Sequence, residues 1–197
     1  MVKTLIIYAH PTIKQDGHCS SVLDEVKTRL DMMNQDYEVI DLYKIGYDPV
    51  LHEDELYTAH NKNITNQNKE FQKKIERSKN FIFIYPVWWN STPAILKGFF
   101  DKVLTSGFAF IYKNNMPIGL LKGRKAVIFA TTGAPKLFFK LFERSIATRQ
   151  VEKYTLGFCG IKARSFVVGN SLQIDEKQKN KIQKTVKKGL DYLYKNK

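Results

Sequence analysis

The sequence predicts one α/β domain built on a parallel, doubly wound sheet of five strands with helices on both faces. Three observations carry this reading. Apolar runs alternate with segments of helical periodicity along the chain. Most of the runs are apolar throughout, not at every second residue, as in strands buried on both faces. A length of 197 residues suffices for one sizeable core. The composition, 43% hydrophobic and 26% charged, is that of a globular chain. No glycine- or serine-rich linker, repeat or low-complexity tract interrupts it, so residues 1–197 read as a single domain.

The elements follow in order. Leu5-Ile6-Ile7-Tyr8 is the first strand, and the polar, turn-like stretch His10 to Ser21 follows it. Val22, Leu23, Val26 and Leu30 recur at helical spacing. Residues Tyr37 to Leu42 form the second strand, and Tyr43 to Asn68 form a long connection. A helix from about Asn68 to Ser78 presents Phe71 and Ile75. Phe81 to Tyr85 is the third strand. Thr92 is placed to cap the next helix, with Pro93 as its first residue and Ile95, Leu96, Phe99, Phe100 and Val103 on its apolar side. Phe108 to Leu121 reads as an apolar and aromatic loop. Ala126 to Ala130 is the fourth strand, Leu137 to Ile146 is helical at least in part, and Ser165 to Val168 is the fifth strand. The last helix buries Ile182, Val186, Leu190 and Leu193. Right-handed crossovers and the strand count favour the order 2-1-3-4-5.

Bulk properties exclude several classes. The net charge is +13, but its largest cluster, eight lysines against three acids between Gln173 and Lys197, falls mostly on the polar side of the last helix. This reads as a solvated face, and no nucleic-acid motif accompanies it. A diffuse positive potential still steers anions. No apolar run approaches a membrane span, and the opening residues lack a secretory signal. Two cysteines, Cys19 and Cys159, make no disulfide framework and fit a reducing cytosol, so a cytoplasmic protein is expected. His52 and His60 lack metal-ligand spacing, and no Gly-x-Ser-x-Gly, Gly-x-Gly-x-x-Gly or Walker-type loop occurs.

Three loops remain, each following the carboxyl end of a predicted strand: His10 to Ser21, Pro86 to Thr92, and Thr131 to Pro135. In the order 2-1-3-4-5 these strands are neighbours, and ligands bind in the crevice between the first and the third. The loops should therefore converge. Gly17, His18, Cys19, Ser20 and Ser21 bring backbone N–H groups and hydroxyls to a helix N-terminus, where an anion is favoured. The blander role for Ser20 or Ser21 is that of a helix cap. Trp88 and Trp89 stand where a polar loop should begin, and one of them is expected to fill the core. Two consecutive buried indoles would be hard to satisfy, and a flat heteroaromatic ligand beside one would relieve this. Backbone groups of Val87, Trp88, Trp89 and Asn90 could then bond its ring edge. Thr131, Thr132, Gly133 and Ala134 offer hydroxyls and a close backbone approach.

Taken together, Tyr8-Ala9-His10-Pro11, Pro86-Val87-Trp88-Trp89, Pro93 to Phe99, Thr131-Thr132-Gly133 and Phe158-Cys159-Gly160 resemble the NAD(P)H:quinone oxidoreductase family over nearly the whole chain. That family includes mammalian quinone reductases, modulator of drug activity B, general stress protein 14 and ancillary subunits of potassium efflux systems. The resemblance implies a flavodoxin-like three-layer sandwich, a bound flavin (FAD, alternatively FMN) and a homodimer. It implies hydride transfer from NAD(P)H through the flavin to a quinone, with azo or nitroaromatic acceptors also plausible. His10 and Gly17 to Ser20 would hold flavin phosphates. Pro86, Val87, Trp88, Trp89 and Asn90 would flank the isoalloxazine ring, and Thr131, Thr132, Gly133 and Ala134 its pyrimidine end. Phe110, Tyr112 and Phe139 would line the substrate pocket, the first two from the partner subunit. Ser20 replaces a usual asparagine, Ala134 replaces a second glycine, and the tyrosine–histidine relay of the mammalian enzymes has no counterpart, with Phe139 near the tyrosine position. The alternatives are a regulatory flavin-binding subunit of a potassium efflux transporter and a one-electron carrier, against which the basic charge and His10 argue.

Overall fold

The computed structural model describes residues 3–11, 17–56, 63–135, 137–138, 146–171 and 174–194. Strands β1 (Lys3–Tyr8), β2 (Tyr37–Asp41), β3 (Ser78–Pro86), β6 (Lys125–Thr131) and β7 (Lys162–Val168) form one sheet in the order β2-β1-β3-β6-β7. All neighbouring pairs are parallel. With the two hairpin strands β4 (Phe110–Lys113) and β5 (Met116–Gly119) set aside, this is the expected order 2-1-3-4-5. The fold is flavodoxin-like.

The sheet is apolar on both faces because successive side chains alternate sides. Leu5, Ile7, Phe81, Phe83 and Tyr85 pack one way, with Phe71 and Ile75 of α2 (Asn66–Arg77) and Leu96, Phe99 and Val103 of α3 (Ala94–Val103). Ile6, Tyr8, Ile82 and Ile84 pack the other way. There they meet Val22, Val26 and Leu30 of α1 (His18–Met32) and Ile182, Val186, Leu190 and Leu193 of the last helix, α5 (Glu176–Tyr194). The strands read as continuous apolar runs for this reason. Several extend beyond their apolar cores, since the ladder also needs flanking polar residues such as Ser78 and Lys162.

Four local differences have physical causes. Helix α3 starts at Ala94 with Pro93 as its cap residue, so Thr92 lies outside it and is buried instead of capping. Helix α1 starts earlier than its apolar spacing suggests, at His18, behind an extended Gly17 with no side-chain cap. The stretch from Phe108 to Leu121 is not a simple loop: β4 and β5 pair as an antiparallel hairpin. Its two-residue turn is Asn114-Asn115, with φ of 51° and 61°. Asparagine tolerates the left-handed conformation that such turns demand. Finally, the short helix α4 (Ile146–Arg149) runs on into a π-helical stretch, Gln150–Leu156. Leu137 and Phe138 are helical, while Phe139, Phe142 and His60 lie outside the described residues.

The long connection after β2 is pinned to α3 in two ways. Gly98 lies so close to Pro49 that a Cβ would stand 2.2 Å from its carbonyl oxygen. Lys102, with only 3% of its side chain exposed, reaches Glu55 Oε2 at 3.1 Å and donates to the Val50 carbonyl at 2.7 Å.

Candidate functional site

The carboxyl ends of β1, β3 and β6 open onto a cleft of about 380 Å³. It lies at the crevice where the chain order reverses, the usual ligand position in open α/β sheets. His10, Gly17, His18 and Cys19 line it from the first loop, and Pro86, Val87 and Trp88 from the second. Thr131, Thr132 and Gly133 complete the predicted set. The three loops therefore converge as the strand order requires.

Each loop has a distinct local geometry. At the first, α1 presents its leading backbone amides with no side chain capping them, so its N-terminus remains an anion site. Ser20 does not cap: its hydroxyl turns back and donates to the Gly17 carbonyl at 2.7 Å. Cys19 Sγ lies 3.2 Å from Thr131 Oγ1, tying this loop to the end of β6. Burial pushes the Cys19 thiol up to about 12, so it stays protonated and is no nucleophile. Burial also lowers the His10 pKa below its ordinary value, which keeps the ring neutral near pH 7. The His10 ring stands 6.2 Å from that of Trp88.

At the second loop the chain makes a tight two-residue turn. Trp88 and Ser91 exchange backbone hydrogen bonds, Trp88 N–H to Ser91 O at 3.1 Å and Ser91 N–H to Trp88 O at 2.9 Å. Trp89 and Asn90 between them both take positive φ, 50° and 53°. Left-handed backbone is costly for a bulky side chain and is retained where function needs it. Contrary to expectation, neither tryptophan fills the core: Trp88 is partly exposed and Trp89 is fully exposed. The turn throws the indole outward. Not all its backbone is available to a ligand, because Val87 N–H already donates to the Thr131 carbonyl at 2.7 Å. The amides of Trp89 and Asn90 take no backbone acceptor among the described residues.

The third loop is laced to the segment after β7. Thr132 N–H donates to Val168 O, Ser171 N–H to Thr132 O, and Asn170 N–H to Ala134 O, each at 3.0 Å. Ala134 N–H is taken by Thr132 Oγ1. Gly133 is left as the exposed backbone approach to the cleft. Ser171 and Ile174 also line the cleft and were missed by the sequence reading. The turn-forming run Gly169-Asn170-Ser171 at the end of the fifth strand was their available signal.

Ser20, Trp89, Asn90 and Ala134 do not line the cleft itself; they shape its rim. Phe110 and Tyr112 lie elsewhere on the molecule. Phe110 packs edge-on to Phe158 at 4.9 Å beside a separate cavity of about 450 Å³, and Tyr112 is exposed on the hairpin. Within one chain they do not reach the cleft.

The groups in the cleft offer binding chemistry, with the Cys19 thiol protonated and the His10 ring neutral near pH 7. The site suits a flat ligand with an anionic tail. Its uncapped helix end suits a phosphate, and an aromatic and backbone-lined wall suits a ring. Asn90 Oδ1, beside the second loop's turn, is buried with no hydrogen-bond partner among the described residues. Such an orphaned acceptor costs about 1–3 kcal/mol. These features fit a flavin. Among the described residues, no group of three or more histidine, cysteine or acidic side chains is placed to hold a metal, and no helix is long and apolar enough to cross a membrane.

Comparison with known proteins agrees. Residues 2–193 match the flavodoxin-like-fold family. A Haemophilus influenzae protein named as an uncharacterized NAD(P)H oxidoreductase is 31% identical over 181 residues, covering 88% of this chain and 86% of the relative. An FMN-dependent NADH:quinone oxidoreductase of Coprothermobacter proteolyticus is 26% identical over 180 residues, covering 88% and 89%. The structure of an NAD(P)H:quinone oxidoreductase from Methanothermobacter marburgensis superposes with a TM-score of 0.79 at 24% identity, covering 100% of this chain and 99% of the other. The chain belongs to the flavodoxin-like-fold family of NAD(P)H:quinone oxidoreductases.

Proposed function

We propose that this protein is a flavin-dependent oxidoreductase that uses NAD(P)H to reduce quinones, and related azo or nitroaromatic compounds, by two electrons. The observation that carries the reading is the meeting of three separate loops in one cleft with an anion end and an aromatic end. Flavin, when bound, supplies the hydride acceptor and donor. The protein's part is positioning and electrostatics, and it needs no side-chain acid or base in this cleft. The α1 N-terminus, with Gly17 to Ser20 and His10, holds the phosphate. Val87 to Asn90 align one edge of the ring. Thr131 to Ala134 would flank the pyrimidine end, where the exposed Gly133 backbone would meet negative charge.

FMN now takes precedence over FAD. The Coprothermobacter relative is FMN-dependent by name, and a cleft of about 380 Å³ sits near the low end of the roughly 300–1,000 Å³ of small-molecule sites. We assign a homodimer as the working unit. Tyr112 and Met116 stand exposed on the hairpin, and Trp89 at the cleft rim, which leaves apolar surface for a second copy to cover. In that arrangement Phe110 and Tyr112 would serve the partner's site. Two buried, unpaired thiols are in keeping with a reducing cytoplasm. The regulatory-subunit alternative draws no support from the relatives.

The test is direct. The purified protein should carry or take up FMN, bleach under anaerobic NADPH and recolour on addition of a quinone. Protein that binds neither FMN nor FAD would refute the reading.

A further inference from the structure

Helix α5 and the edge strand β7 border a groove of about 1470 Å³, far larger than the cleft. Gly133 lines both, so the two spaces meet at the pyrimidine end of the proposed flavin site. One wall of the groove carries Lys177, Lys181, Lys184 and Lys188. Their spacing of four, three and four puts them on one side of the helix, over about 16 Å at its usual rise. Four of the tail lysines, still accessible to solvent, thus share one concave surface.

Three of these cations, Lys177, Lys184 and Lys188, have no counter-ion among the described residues. Lys179 pairs with Glu176 and Lys187 with Asp191, away from the groove. Lys177, Lys184 and Lys188 form no ion pair or hydrogen bond among the described residues, while Lys181 donates to the Gly169 carbonyl at 2.8 Å. Among the described residues the one carboxylate lining the groove, Asp175, accepts the Gln178 backbone amide at 2.7 Å as a helix cap. A row of like charges at helical neighbour positions is unfavourable unless an anion joins it. Lysine recognises such an anion as a point charge.

We infer that this groove receives the adenosine end of NADPH, with the 2′-phosphate against Lys184 and Lys188, so that the enzyme prefers NADPH to NADH. The inference rests on the function proposed above. A nicotinamide must lie over the ring near Gly133, and the rest of the dinucleotide must leave the cleft in some direction. The groove opens there, its row of lysines runs about 16 Å along the helix, and it carries the matching charge. NADH lacks the additional phosphate and would gain only from the shared diphosphate.

The test compares the flavin-loaded wild type with the double variant Lys184→Glu/Lys188→Glu. A control variant, Lys179→Glu/Lys187→Glu, makes the same change in net charge outside the groove. Calorimetry reads binding of 2′,5′-ADP against 5′-AMP, and stopped-flow absorbance reads flavin reduction by NADPH against NADH. Wild type should bind 2′,5′-ADP about tenfold more tightly than 5′-AMP, as charge-assisted contacts to a phosphate would give, with the advantage shrinking at high salt. The groove variant should lose that advantage and weaken NADPH by about tenfold while leaving NADH within about twofold, and the control should change neither. Equal affinity for the two nucleotides in wild type, or equal loss in both variants, would overturn the assignment. So would a groove variant that sheds flavin but keeps its nucleotide preference, which would place the cofactor itself in the groove. Failure of the wild type to bind any flavin would instead sink the proposed function, and calorimetry with 2′,5′-ADP would still read the groove.

Discussion

Two residues at the cleft carry strain or charge whose consequences are measurable. His10 has a lowered pKa because it is partly buried. The unfolded chain therefore takes up the proton first as pH falls, and the stability linked to this residue is present above pH ~6.5 and lost below it. A bound phosphate has the opposite effect, since it favours the imidazolium. Flavin affinity in wild type should therefore rise relative to His10→Gln as pH drops from 8 to 6, as read by fluorescence quenching at each pH. Trp89 holds a positive φ of 50° at a fully exposed position. Trp89→Gly should relax the turn and stabilise the protein by about 1 kcal/mol in urea denaturation. The same change should weaken flavin binding, because it removes the fully exposed indole at the cleft rim. A variant that lost stability would show that the indole packs on the fold and does not wait for a ligand.

At the scale of elements, α3 is anchored to the connection after β2 by contacts with no slack. Glycine inside a helix is ordinarily worse than alanine by roughly 1 kcal/mol. At Gly98 the sign should reverse, because the new methyl would meet the Pro49 backbone, which cannot swing away as a side chain can. Gly98→Ala should destabilise by about 1–3 kcal/mol, seen as a lower denaturant midpoint. Removing Lys102 leaves Glu55 buried and unpaired. Lys102→Met alone should cost about 3–5 kcal/mol, and the double change Lys102→Met/Glu55→Leu should recover most of it. A double variant no better than the single one would show that the bond to the Val50 carbonyl, and not the ion pair, holds the connection.

For the molecule as a whole, the homodimer proposed above would cover the exposed Tyr112 and Met116 of the hairpin. Sedimentation should show a dimer at micromolar concentration. Tyr112→Ala should lower kcat/KM for quinones by about tenfold, the scale of one lost apolar contact in a pocket, while flavin binding stays intact. A monomer with full activity would refute the shared pocket.

The parallel sheet, its strand order and the convergence of the first, third and fourth strand ends were legible in the sequence. Apolar runs buried on both faces leave few other topologies, and the topology decides which loops meet. The residues of those loops that have a distinctive chemical identity, such as His10, Trp88 and Thr132, are therefore assigned to one cleft by their positions along the chain alone. Only the tertiary structure decided matters of direction and partnership. It turned both indoles outward through two left-handed residues, took the Val87 amide for the sheet, and brought in Ser171 and Ile174 from the segment after β7. It also set four of the tail lysines along one groove. Side-chain type is local, but which backbone groups are already bonded, and which face of a helix meets another element, depend on packing among distant segments.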